Sequence, residues 1–482
     1  MKVFVGYPPL RGKGTPTLGQ NRQFQWFHHP SFIYPLVPAS AATLLANAGY
    51  AVAWKDAIAE GLSWEAFAEY LSEQKPDLIA LETKTPVVRQ HWEQTRLLKK
   101  LLPRSRIVLM GDHVTALPDE TMRLSEADYA LLGGDYDFSL LRLAEHLSRG
   151  APLGPGFLHR ESGSVETTGP FDLSGDLDSL PLIDRDLTRW NLYGELLYKR
   201  TPFTYTMAGR DCPHGRCTFC AWTVLYPKFR VRSPRNLVSE IRLLVERYGV
   251  REVFDDTGSF PAGGWLEEFC RLMTAERLHE RVLFSANFRF EHLDPRRAEM
   301  MKRAGFRLLK LGLESANDST LERLDKKLTR RQIIEGCEAA KAARLEVHLT
   351  VMLGYPWESL ADIQRTIRLV RTLMREGLAD MLQSTVIVPY PGTRLYREAL
   401  DHGWFRVPPD AYERFDMTEP VLATPGVPPE RLMRLCRQVY ESFFEPRYLL
   451  RRMLSLGNID ELRFVGRGLG ALAGHLRDFS RS

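Results

Sequence analysis

The chain has 482 residues, of which 44% are hydrophobic and 26% charged, with a formal net charge of +5. That length exceeds what one ordinary core organises, so two or three domains are expected of a soluble globular protein, and so modest a charge gives no reason to expect a nucleic-acid partner. Six cysteines in so long a chain exclude a disulfide scaffold and point to reduced thiols in the cytoplasm.

Residues 1–7 are apolar but run into Pro8-Pro9 and a basic loop, which suits a first strand better than a secretory signal. Residues 30–54 carry no charge. Pro35, Pro38 and Gly49 break that stretch, so the expectation is a loop, a buried helix and a strand rather than a membrane span. Apolar β-type runs at 3–7, 51–54, 78–81, 107–110 and 129–132 alternate with helical patterns at 39–48, 64–74, 91–101 and 117–123, and a fifth helix follows at 138–148. Over residues 1–150 this alternation predicts a doubly wound (Rossmann-like) parallel sheet, whose ligands sit beyond the carboxyl ends of the strands. Those ends carry Pro8, Thr83 and Thr85, Asp112-His113 and Thr115, and Gly133-Gly134-Asp135. His28 and His29 lie in an aromatic loop that reads as packing near a domain interface rather than as a metal site.

Residues 151–200 are rich in Gly, Pro, Ser and Asp and read as a linker with a small hairpin. A second run follows, with strands at 203–207, 252–255, 282–285, 308–312, 346–352 and 383–388 and a helical pattern after each. Six β/α units over 201–402 predict a partial, open barrel rather than the full eight. From 403 the β pattern stops. Residues 429–454 read as one long helix interrupted near Pro446, and 458–482 as short helices or loosely ordered chain. From 426 to 482 there are ten arginines and six acidic residues, so this end of the helical tail (403–482) carries a balance of +4. It suits a membrane surface, an anionic substrate or nucleic acid, or is a solvated helical face.

Three cysteines, Cys212, Cys217 and Cys220, fall within nine residues as Cys-x4-Cys-x2-Cys, directly after the first strand of the second run. Thiolates are the ligands of iron–sulfur clusters. Three of them can hold three irons of a four-iron cluster and leave the fourth open to a substrate. One rival is three unrelated buried cysteines, which such dense clustering opposes; the other is zinc with His214 as fourth ligand, but no second Cys/His pair follows nearby, and His214 sits between two of the cysteines. Cys270, Cys337 and Cys436 follow apolar patterns and read as buried thiols.

The loop resembles the cluster loop of radical S-adenosylmethionine (SAM) enzymes, with Phe219 as the aromatic before the third cysteine. It departs from that family by one extra residue between the first two cysteines. Leu311-Gly312-Leu313-Glu314-Ser315 is similar to the family's Gly-x-Glu-Ser strand end. The turn at 351–358, with Gly354, resembles its later glycine turn, and 389–396 its closing segment. The amino-terminal run resembles the cobalamin-binding domain often placed ahead of this barrel. The spaced Asp-x-His-x-x-Gly signature is absent, so His113 is not assigned as a cobalt ligand.

This resemblance implies a 4Fe–4S cluster on the three cysteines. It implies SAM contacts at Phe219, Asp255, Arg289, Gly312, Glu314 and Gly354. For cobalamin it implies contacts at Pro8, Thr83, Thr85, Asp112, His113, Thr115, Gly133, Gly134 and Asp135. It further implies reductive cleavage of SAM to a 5′-deoxyadenosyl radical, with electrons from an external flavodoxin or ferredoxin. The outcome would be cobalamin-dependent methylation of an unactivated carbon, or radical ring closure or contraction. The segments after the cluster (232–234) and at 440–448 look most like members tied to hopanoid and other lipid biosynthesis. The substrate is thus expected to be a small molecule or lipid, with the basic tail in peripheral contact with a membrane. A non-catalytic metal-binding protein is the remaining alternative.

Overall fold

Alternating apolar strands and amphipathic helices build two parallel sheets. The computed structural model describes residues 1–16, 24–27, 31–161, 163–194, 198–454 and 459–478; His28 and His29 lie outside them. The first sheet contains β1 (Lys2–Tyr7), β2 (Ala51–Asp56), β3 (Leu78–Thr83), β4 (Arg106–Gly111) and β5 (Tyr129–Leu131), all parallel, in the spatial order β2-β1-β3-β4-β5. All six residues of β3 are buried, as a central strand covered by helices on both faces requires. The uncharged stretch becomes a helix, Leu36–Asn47, apolar on most of its surface because most of it is covered. An antiparallel hairpin, β6 (Phe157–Glu161) and β7 (Ser164–Thr167), extends this sheet beyond β5.

The second sheet is β8 (Phe203–Thr206), β9 (Glu252–Asp255), β10 (Leu283–Phe288), β11 (Phe306–Glu314), β12 (Glu346–Leu353) and β13 (Met381–Val386), parallel and in sequence order. β8 and β13 are its two ends, so the barrel is open with six units, as expected. Side chains set the starts of its outer helices. Ser233 caps Pro234–Tyr248, and Thr329–Gln332 and Ser359–Asp362 form capping boxes on the helices that flank β12.

The carboxyl-terminal region is helical. Helix Pro429–Tyr440 buries Leu432, Cys436 and Val439 against β13. The Tyr440 hydroxyl accepts from Ser384 N (3.0 Å) and donates to Ser384 O (3.1 Å), which satisfies backbone on the edge strand. The helix expected over 429–454 is interrupted near Pro446 as expected, with a 3-10 turn at Glu441–Phe444 before its second part, Pro446–Leu454. The break precedes Pro446 because proline lacks an N–H and its ring opposes the carbonyl one turn back. The short or loose segments expected over 458–482 are corrected to one helix, Ile459–Asp478, despite its glycines. Phe464 packs it onto Leu308 and Met381, and such packing outweighs weak propensity. No helix among the described residues is long and apolar enough to cross a membrane.

Candidate active site

The cysteine loop is pinned at its base. Just beyond β8, Gly209–Arg210 pairs antiparallel with Arg230–Val231, so residues 211–229 form a closed excursion at the carboxyl end of the barrel. Asp255, at the end of β9, holds that base. Its carboxylate accepts from Thr206 Oγ1 (3.0 Å), Ala208 N (2.8 Å) and Thr257 N (3.1 Å), and Gly209 N donates to Thr257 Oγ1 (3.0 Å). Burial pushes the Asp255 carboxyl up to about 6 against these hydrogen bonds. Gly258 lies directly under the loop. A Cβ there would come within 2.7 Å of Asp211 Oδ1 and 3.0 Å of Cys212 N.

A second strut comes from residues 324–327, where Asp325 and Lys327 hold left-handed φ angles of +53° and +51°. Leu324 O accepts from Thr218 N (3.1 Å), and Asp325 O accepts from His214 Nε2 (2.6 Å). His214 is thereby turned to a carbonyl. Strained non-glycine backbone of this kind gathers where geometry serves function.

The three thiols are partly exposed and line a cavity of about 160 Å3. Among the described residues, the one His/Cys/Asp/Glu group whose ligand atoms converge within 4.8 Å is His159, Glu161 and Glu166, on the exposed hairpin. The cysteine sulfurs are therefore spread wider than a single zinc ion, with Zn–S bonds of about 2.3 Å, would gather them. A multi-iron cluster needs that spread. Burial pushes the Cys217 thiol up, while Lys326 and Arg289 pull it down. These two cations suit an anionic cluster. Arg289 is fixed through its Nη2, which donates to Lys326 O (2.6 Å), and through a short contact with Glu291.

β11 supplies the next wall. Its register against β12 shifts between Gly312 and Glu314, and Glu314 takes a left-handed φ of +61°. The bulge turns the Glu314 carboxylate into the cavity, where Lys326 Nζ meets it at 2.7 Å. A Cβ on Gly312 would lie 2.3 Å from Glu314 Oε1 and 2.5 Å from Lys326 Nζ, so only glycine leaves this pair in place. Burial disfavours the charge on Lys326, yet Glu314 and Cys217 hold its pKa above the usual lysine range. The cavity therefore presents a carboxylate and an ammonium side by side. The residues present fit the amino-acid end of SAM, as the three thiols fit a cluster.

Phe219, Arg289, Gly312 and Glu314 thus line the cavity with the cysteines. Asp255 lies behind it, and Gly354 turns beneath Leu432 of the carboxyl-terminal helix. Lys326 escaped the sequence reading because nothing local marks an irregular-loop lysine twelve residues beyond Glu314. Lys310, also not singled out, was marked in the sequence as the one charge among residues 308–313. It lines the cavity with Thr350, Met352, Val388, Tyr390 and Met417.

The carboxyl edge of the first sheet faces the barrel. Thr83 Oγ1 meets His91 Nδ1 at 2.6 Å, Thr85 Oγ1 meets His113 Nδ1 at 3.3 Å, and Asp112 pairs with Lys84 at 3.6 Å. Thr115 Oγ1 accepts from Gly133 N (3.1 Å). Thr115 is partly exposed; the other eight residues expected at a corrin are buried. Gly134 and Asp135 are engaged by the base of the cysteine loop. Tyr226 donates to Gly134 O (2.7 Å), and Arg210 and Arg230 both bind Asp135 (3.1 and 2.6 Å). Burial drives the pKa of His113 down to about 3, so its ring is neutral, with the Tyr412 ring centred 4.6 Å away. The cavity borders this edge, since a Cβ on Gly392 would lie 2.9 Å both from Ala116 and from Val224, next to the cavity-lining Thr223. His91 Nε2 and His113 Nε2 are buried there without a hydrogen-bond partner. Neither histidine lines the cavity, and the His113 ring packs against those of Trp92 and Tyr412.

The radical SAM superfamily model matches residues 207–370. The chain is 26% identical over 402 residues to an uncharacterized methyltransferase of Pyrococcus horikoshii, covering 82% of this chain and 85% of that protein. It is 24% identical over 392 residues to an anaerobic magnesium-protoporphyrin IX monomethyl ester cyclase of Cereibacter sphaeroides, covering 79% and 61%. Its fold matches TsrM, a radical SAM methyltransferase from Kitasatospora setae solved with cobalamin and a 4Fe–4S cluster, with a TM-score of 0.71 at 15% identity over the whole of both chains. It also matches the cobalamin-dependent radical SAM enzyme OxsB, with a TM-score of 0.62 at 13% identity over 86% of this chain and 56% of that one.

Proposed function

We propose that this chain, an enzyme whose barrel belongs to the radical SAM superfamily, uses a cluster, SAM and cobalamin to methylate an unactivated carbon. The observation that carries the reading is the pinned loop of three spread thiols, open to a cavity whose opposite wall is the Glu314–Lys326 pair. Bound there on Cys212, Cys217 and Cys220, a 4Fe–4S cluster would supply the electron for reductive cleavage of SAM, and cobalamin at the sheet edge, methylated by a second SAM, would supply the methyl group.

The chain's own residues bind, orient and exclude. Cys212, Cys217 and Cys220 hold the cluster, with Arg289 and Lys326 balancing its charge. Glu314 receives the SAM amino group and Lys326 its carboxylate. Phe219, Met352, Val388, Tyr390 and Met417 keep water from the reacting carbon, as so reactive a species demands. Lys310 and Thr350 give the same chamber a polar anchor, which suits a mostly apolar substrate bearing an acidic group. Thr115, partly exposed at that edge, borders the cobalamin.

An external flavodoxin- or ferredoxin-type donor supplies electrons. The enzyme works in the cytoplasm, in peripheral contact with a membrane through its carboxyl-terminal region. The second reading, ring closure without methyl transfer, rests on the likeness to the cyclase.

Anaerobic reconstitution with iron, sulfide, SAM and a reductant tests the reading. About four irons per chain and release of 5′-deoxyadenosine are expected. Absence of both sinks it. Product mass separates the two outcomes, since methylation adds one carbon and cyclisation none.

A further inference from the structure

Helix Pro446–Leu454 reverses the usual arrangement of a surface helix. Leu449, Leu450, Met453 and Leu454 share one stripe and are 42%, 58%, 68% and 78% exposed. The polar groups point inward instead. Tyr448, which is buried, donates to Asp380 O (3.0 Å), Arg451 donates to Arg375 O (2.6 Å) and Met374 O, and Arg452 lies over the Phe464 ring. A helix of a soluble protein turns its apolar stripe to the core. Phe444, in the turn just before this helix, is also 52% exposed. Single exposed apolar residues need no account, but a ridge of four on one helix marks an interaction surface.

The border of the ridge identifies what it meets. Helix Leu360–Glu376, on which it packs, exposes Arg365, Arg368, Arg371 and Arg375 along one side. Arg447 adds a guanidinium that is 71% exposed, beside Glu376 at 3.7 Å. Residues 426–482 contain ten arginines and no lysine. Guanidinium is the group that grips phosphate oxygens in pairs. An apolar ridge flanked by arginines matches the acyl boundary and the phosphate layer of a bilayer.

We propose that helix Pro446–Leu454 is a foot that lies in the interface of a membrane bearing anionic phospholipid headgroups. The position of the foot has a consequence. Asp380, which receives Tyr448, precedes β13, at the amino-terminal ends of the barrel strands, whereas the cysteines follow the carboxyl end of β8. The foot therefore tethers the enzyme by the end opposite its mouth, and substrate enters from the aqueous side. Docking needs neither cluster nor SAM, so its failure and the failure of the chemistry are separate results.

Flotation of the full chain with vesicles provides the test. One set is phosphatidylcholine alone, the other phosphatidylcholine mixed with phosphatidylglycerol. Wild type is expected to bind the mixed vesicles at least about tenfold more tightly, with the advantage fading as salt rises. Leu450→Gln with Leu454→Gln, at exposed positions that leave the thermal midpoint in place, should weaken that binding by about tenfold or more. Arg368→Gln with Arg447→Gln should remove only the preference for the anionic set. No binding of wild type to the mixed vesicles at low salt overturns the proposal. So does equal binding by the leucine variant. Sedimentation showing a wild-type dimer that the leucine variant dissociates, with vesicle binding unchanged, assigns the ridge to a second copy and also overturns it.

Discussion

The two sheets share one building unit and the same polarity, yet their carboxyl edges are finished differently. At the first edge most polar groups close on one another or on the barrel: Thr83 with His91, Thr85 with His113, Asp135 with Arg210 and Arg230. At the second edge the thiols, the Glu314–Lys326 pair and Lys310 face a cavity. A parallel sheet offers every loop at this edge to a ligand. What separates scaffold from reaction chamber is which loops are pinned from behind and which polar groups are left facing in. The first edge is also the support of the second, because Arg210 and Arg230 flank the base of the cysteine loop.

The largest effect expected is at the second edge. Cys212→Ala should abolish iron loading and SAM cleavage together, read by metal analysis and 5′-deoxyadenosine release, with the fold intact by circular dichroism. Retained activity would mean that other ligands hold the cluster. The next falls on the contact between the edges. Arg210→Met leaves Asp135 and Asp137 buried with one cation fewer, which should cost about 3–5 kcal/mol in chemical denaturation. A loss under about 1 kcal/mol would show that Arg230 alone suffices and that the edges are only loosely joined. Within the cavity, Glu314→Gln removes the charge that Lys326 faces. SAM binding by the reconstituted enzyme should weaken by roughly fiftyfold, about 2–3 kcal/mol, with iron content unchanged. An unchanged SAM affinity would remove Glu314 from the SAM site.

The framework was legible because its signals are local. Apolar runs of four to eight residues separated by amphipathic helices place the strands, and Cys-x4-Cys-x2-Cys is visible by inspection. The struts were not legible, because they join residues far apart in sequence. Asp325 O reaches His214 across 111 residues, and Arg210 reaches Asp135 across 75. No periodicity reports such a contact. The same distance effect explains Asp255. Its place at the end of β9 suggests a ligand, but three hydrogen-bond donors turn its carboxylate toward the loop base instead. Helix Ile459–Asp478 was misread for another reason. Its glycines argue for breaks, and the packing of Phe464 that outweighs them is invisible in the sequence.

Two aspartates sharpen the comparison of the edges most finely. Asp56 ends β2 and Asp255 ends β9, and burial pushes both carboxyls up to about 6 from 3.8. An acid whose pKa is raised by folding adds stability that is fully present below about 3.8 and lost as pH rises through about 6. Removing the charge should therefore help increasingly between those values, provided the hydrogen bonds survive. At Asp56 they do. Ile58 N and Ala59 N both donate to Oδ1 (3.0 Å each), and Tyr193 OH, which can turn to accept, faces Oδ2 (3.0 Å). At Asp255 they do not. Ala208 N donates to one oxygen and Thr257 N to the other, so an amide in either orientation sets its NH2 against a backbone N–H. Asp56→Asn should thus gain roughly 2 kcal/mol over wild type between pH 4 and pH 7.5 in urea denaturation. Asp255→Asn should lose stability throughout that range, and with it the fixed base that lets the cysteines take up iron. If both variants gained equally, the carboxylate of Asp255 would be as dispensable as that of Asp56, and the cysteine loop would be held from the 324–327 side alone.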